Sequence, residues 1–115
     1  MTIEFARGDS YAVGFQLREK DSGTAIDSEF DEIYFTVKRA YTDKEYKFQK
    51  TLTGGGIVSD GNGHYTLNFL PEDTATMAFG RYDVDLEFDR GENFVKTFAG
   101  ELNLTKETTH STNKG

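Results

Sequence analysis

Arg81-Tyr82-Asp83-Val84-Asp85-Leu86-Glu87-Phe88 alternates without a break: Tyr82, Val84, Leu86 and Phe88 share one parity, and Arg81, Asp83, Asp85 and Glu87 the other. A period of two belongs to a β-strand with one dry face and one wet face. Strands of that kind form antiparallel sheets that are covered on one side. The same reading works outward along the chain. Tyr11, Val13, Phe15 and Leu17 oppose Ala12, Gly14, Gln16 and Arg18. Ile33, Phe35 and Val37 oppose Tyr34, Thr36 and Lys38, and Tyr65, Leu67 and Phe69 oppose Thr66 and Asn68. Three further strands are expected: a short one marked by Ile3 and Phe5, one over Lys47 to Leu52, and a last one from Phe94 to Leu104 with Gly100 as a bulge or bend.

The punctuation fits this alternation. Asp21-Ser22-Gly23 reads as a turn, Gly54-Gly55-Gly56 as a flexible break, and Asp60-Gly61-Asn62-Gly63 as a tight hairpin, because Gly and Asn accept positive φ. Asp89-Arg90-Gly91-Glu92-Asn93 reads as the hairpin that joins the last two strands. Ala40 to Glu45 is a polar turn or single helical turn, and Pro71 followed by Glu72 and Asp73 starts a short helix. About seven strands at this spacing predict an all-β, immunoglobulin-like two-sheet antiparallel β-sandwich, with a small β-barrel as the alternative. Cys and Trp are both absent, so the Cys–Trp–Cys signature of antibody domains is not met.

The 115 residues fit one domain, read as 1–105, with 106–115 as a flexible polar tail. Only 36% of residues are hydrophobic, but ten Phe and six Tyr supply large side chains for a core. The absence of Cys excludes disulfides and thiolate chemistry. The net charge of −7 argues against nucleic acid and anionic membranes. The first residues, MTIEFARGDS, have no basic stretch followed by an apolar run, so the chain is expected to be made in the cytoplasm without an amino-terminal export signal.

No residue set reads as catalytic, cofactor-binding or metal-ligating. His64 follows a turn and His110 lies in the tail, and neither stands beside a nucleophile motif. Asp83, Asp85 and Glu87 sit about 6.6 Å apart along one strand. That spacing suits paired-carboxylate hydrolysis but arises on any strand with acids two apart. A solvated row paired with Arg or Lys across the sheet is the expected arrangement. Arg7-Gly8-Asp9 spells an integrin-binding tripeptide but reads as a turn, and the triple glycine lacks the Lys and helix of a phosphate loop. The surfaces expected to interact are Tyr34, Tyr41 and Tyr46, as an exposed aromatic patch, and the first strand with Ile3 and Phe5.

Four stretches carry a family resemblance: RGDSYAVGFQLREKDSGTAID from Arg7, IYFTVKRAYTDKEYKFQKTL from Ile33, GNGHYTLNFLPEDTATMAFGRYDVDLEF from Gly61, and the closing Phe-x-Gly-Glu-Leu-Asn-Leu-Thr ending at Thr105. Together they resemble the immunoglobulin-like domain of phage and prophage structural proteins, as at the amino terminus of baseplate upper proteins. The resemblance implies a non-enzymatic structural role in a virion tail or baseplate, with other virion proteins or further copies of the chain as partners. The shared residues are turn formers and core positions, so they transfer no site residue. Such baseplate proteins usually continue past this domain. A carbohydrate-binding module for a host surface glycan is the alternative, and a planar row of exposed aromatics would mark it.

Overall fold

The computed structural model describes residues 1–18, 22–23, 30–61, 63–92 and 94–106. Expectations that rest on Asp21, Ile26, Asn62, Asn93 or the tail from 107 onward, including His110, lie outside the described residues.

Among the described residues, eight strands and one helical turn follow in order: β1 (Thr2–Ala6), β2 (Tyr11–Gln16), β3 (Glu32–Lys38), β4 (Phe48–Thr51), β5 (Ile57–Gly61), β6 (His64–Phe69), α1 (Pro71–Thr74), β7 (Gly80–Arg90) and β8 (Phe94–Thr105). They form two sheets, β1-β8-β7-β3-β4 and β2-β6-β5. No barrel closes. With β2 to β8 taken as strands B, C, C′, D, E, F and G, the sheets are C′CFG and BED, which is the immunoglobulin arrangement.

In β3, β6 and β7 alternation puts the core where the sequence placed it, whereas on the expected dry face of β2 Tyr11 is 42% exposed and Val13 and Phe15 are half-buried. Ile33, Phe35, Val37, Tyr82, Val84, Leu86 and Phe88 of the larger sheet face Tyr65, Leu67 and Phe69 of the smaller one, all buried. Aromatic rings tie the layers. Phe69 meets Phe35 edge-on at 5.6 Å, and Phe30 lies 5.1 Å from Phe88 and 6.1 Å from Tyr65. Ring pairs in such geometries add about 0.5–1.5 kcal/mol beyond their buried area.

The connection from β6 to β7 carries a fold-defining contact. The Leu70 N–H donates to the Asp73 carboxylate at 2.7 Å and opens α1. Lys50 on β4 then bridges to the same carboxylate at 2.7 Å. Near the start of β7, the buried Tyr82 hydroxyl donates to the Ala78 carbonyl at 2.8 Å. This is the tyrosine corner of immunoglobulin-like domains. The buried Val84 stands two residues on, where antibody domains have a disulfide cysteine.

Four expectations are corrected. An eighth strand, β5, precedes the hairpin; only Ile57 of its five residues is buried, so it shows no alternation to read. Asp89 and Arg90 belong to β7, not to a turn, and the reversal starts at Gly91, where φ is +66°. The sheets are not wholly antiparallel, since β1 runs parallel to β8, with Thr2 opposite Glu101 and Ala6 opposite Thr105. Finally, Gly100 is no bulge. The β7–β8 register runs unbroken through Val84 and Gly100, and a Cβ there would lie 2.5 Å from the Met1 carbonyl oxygen. The glycine admits the close approach of another backbone.

Candidate interaction surface

The outer face of the five-stranded sheet is built by the residues that alternate with the core. β3 contributes Tyr34, Thr36 and Lys38, and β7 contributes Asp83, Asp85, Glu87 and Asp89. Register places Tyr34 beside Glu87, Thr36 beside Asp85 and Lys38 beside Asp83. Two depressions join across this face and share Thr36, Lys38 and Asp85. One, of about 660 Å³, includes Met1, Tyr41, Arg81 and Asp83 in its lining. The other, of about 480 Å³, includes Tyr34, Lys44, Tyr46, Glu87 and Asp89.

The loop that carries two of the tyrosines is pinned. The Ala40 N–H donates to the Asp43 carboxylate at 3.0 Å, Lys38 Nζ donates to the Asp43 carbonyl at 3.0 Å, and the Tyr41 N–H donates to Asp83 at 2.9 Å. Tyr41 and Tyr46 are left 75% and 53% exposed, whereas Tyr34 is half-buried on the sheet. The three tyrosines therefore divide between two depressions, Tyr41 in one and Tyr34 with Tyr46 in the other.

The other half of the expected surface is corrected. Ile3 and Phe5 are buried in the core, because β1 is drawn onto β8 with its odd residues inward. The first strand offers only its outer backbone edge.

The acid row also departs from expectation. Asp83 pairs with Arg81 of its own strand at 2.9 Å, and Arg81 reaches Glu101 at 3.0 Å. Asp85 lies between Thr36 and Ala99, Glu87 between Tyr34 and Thr97, and Asp89 between Glu32 and Val95, so none of the three has a cation opposite it. Desolvation, then a hydrogen bond with Asp89 and the charges of Asp89 and Asp85, raise the Glu87 pKa. Glu32 goes the other way. Desolvation alone would raise it, but hydrogen bonds from the Thr53 hydroxyl and N–H and from the Ile33 and Leu52 backbone outweigh that and lower it. Among the described residues, no group of three or more His, Cys, Asp or Glu could hold a metal ion.

The remaining motifs take structural places. Gly8, at φ +84°, turns β1 toward β2, while Arg7 donates to the Met77 carbonyl at 3.2 Å and lies 4.0 Å over the Phe79 ring. The Gly54 and Gly55 amides donate to Thr51 Oγ1 and the Leu52 carbonyl, so two amides of the triple glycine are already used. His64 opens β6, exposed, 3.1 Å from the Gln16 amide nitrogen. Among the described residues, no helix is long and apolar enough to cross a membrane.

No protein-family model matches the sequence, and no curated protein is significantly similar to it.

Proposed function

We propose that this chain is a non-enzymatic structural domain that binds protein partners through the outer face of its five-stranded sheet, as a component of a phage or prophage tail or baseplate. The observation that carries the binding reading is the joined pair of depressions, with Tyr41 and Tyr46 exposed on a pinned loop beside acids that lack an opposing cation. Exposed aromatic rings supply contact area at low entropic cost. Acids without a cation opposite them on the same face favour one charge of partner and steer its approach. The setting rests on the sequence resemblance, which spans the two-sheet domain from Ile3 to Thr105 and implies other virion proteins or the chain itself as partners.

The test is to look for the protein in purified tail particles, and to repeat this with Tyr46→Ala, which lies outside the strands. The expected result is incorporation of the parent and loss of the folded variant. Absence of the parent from the particles would sink the phage setting, and undiminished incorporation of the variant would sink the docking face. Glycan-array binding that Tyr46→Ala abolishes would replace this reading with the carbohydrate-binding one.

A further inference from the structure

Among the described residues, β8 is paired along all but its last residue on one side and only along part of the other. β7 covers Phe94 to Leu104, but β1 covers only Glu101 to Thr105. The direction of the free backbone groups follows from two observed bonds. The Glu101 N–H donates to the Met1 carbonyl, and the Thr105 carbonyl accepts from the Arg7 N–H, so odd-numbered residues of β8 point their backbone groups toward β1. The period of two then aims the N–H and C=O of Val95, Thr97 and Ala99 at the open edge. Exposed apolar side chains flank it: Val95 is 55% exposed, Phe98 43% and Met1 48%. An apolar, unpaired edge is a template for another strand. The other strands that end a sheet differ: β4 has four residues, β5 loses register between Ser59 and Gly61, and β2, of six residues, exposes only Tyr11 among its large apolar side chains.

We propose that this edge pairs with the same edge of a second copy, antiparallel, about a two-fold axis through Thr97. Self-complementarity argues for the second copy as occupant. With Thr97 on the axis, Thr97 exchanges both hydrogen bonds with its mate, and Val95 does so with Ala99 in both directions. All outward groups of the three residues are then satisfied in each copy. Lys96, the single charged side chain between Phe94 and Gly100, lies opposite Phe98. An axis through Lys96 would set like charges face to face and leave Ala99 unpaired. The shared ladder stops at Val95 and Ala99, because Met1 already lies against Gly100 and Phe94 of the other copy must turn out of the ladder there. An isologous contact of this kind closes after two copies. It uses the backbone edge and not the outer face, although Thr97 and Ala99 also line the depressions there.

Five paired residues a side is small beside the roughly 20–30 of a standard interface, so the dimer is weak and concentration-dependent. Two chains of net charge −7 repel, so added salt strengthens the dimer. Analytical ultracentrifugation up to about millimolar concentration should show a monomer–dimer equilibrium. Thr97→Pro removes an N–H that does not bond to β7, a position where a strand tolerates proline, and should weaken the dimer at least about tenfold. In this cysteine-free chain, Thr97→Cys should form a disulfide-linked dimer on mild oxidation, because hydrogen-bonded antiparallel partners lie about 5.5 Å apart at Cα, within disulfide reach. Val95→Cys, four residues from its own mate, should not. A strict monomer at the highest concentration, equal cross-linking at both positions, or dimerisation undiminished in a folded Thr97→Pro variant would each overturn the proposal. The cross-linking comparison decides it if Thr97→Pro does not fold.

Discussion

The two faces of the larger sheet are made by the same strands and differ only in parity, yet they follow different rules. On the inner face, Ile33, Phe35, Val37, Tyr82, Leu86 and Phe88 are held by area and shape. On the outer face, Tyr34, Asp85, Glu87 and Asp89 line an open depression, and the charges of Asp85 and Asp89 act on Glu87. A change on the first face should register as stability. A change on the second should register as pH dependence or binding, with little stability at stake.

The largest break in that contrast is expected from Phe35→Ala, which empties a fully buried site against Phe69. It should cost about 3–5 kcal/mol in denaturant unfolding. Tyr82→Phe keeps the ring and removes the hydroxyl bond to Ala78. Because Ala78 is exposed and water can replace the donor, about 1 kcal/mol is expected in the same measurement.

Smaller effects should separate the two shifted carboxyls by sign. The raised Glu87 pKa means that the folded state binds its proton more tightly than the unfolded chain. Stability therefore falls as pH rises from the ordinary Glu value through the raised one. Glu87→Gln should remove that slope and leave the variant a few tenths of a kcal/mol more stable above the window. Glu32 is depressed, so its contribution is present above the ordinary value and lost as pH falls through the lowered one. Glu32→Gln should be destabilised at neutral pH by less than about 1 kcal/mol and approach the parent in acid. Chemical denaturation between about pH 3 and 7 checks both, and slopes of the same sign would contradict the assignment. Least of all in stability, Tyr46→Ala should leave the denaturation midpoint within error of the parent, since the ring is exposed.

Parity made the inner face readable from sequence, because each buried strand repeats its pattern over at least five residues. It also placed Tyr34 outside. What escaped had no such signal. β5 is exposed along four of five residues, so neither periodicity nor apolar content marks it. The parallel seating of β1 on β8 joins residues about a hundred positions apart, and no local pattern encodes that. It was this pairing that turned Ile3 and Phe5 inward. The hydroxyl bond of Tyr82 depends on the path of Met77 to Phe79, which follows from the crossover and not from Tyr82 itself. The division of the tyrosines between two depressions depends on how the loop folds back onto Asp83.

The parallel seating of β1 also sets how the domain bears load. The chain enters the ladder at Thr2 and leaves it at Thr105, at opposite ends of two adjacent strands that run the same way. Tension between the ends therefore pulls along the strands, and the hydrogen bonds between them must fail together in shear. An antiparallel pairing of the same two strands would place both points of attachment at one end and let the bonds open one by one, like a zip. The short first strand that sets Ile3 and Phe5 into the core thus also gives the pair a geometry that resists pulling along its length.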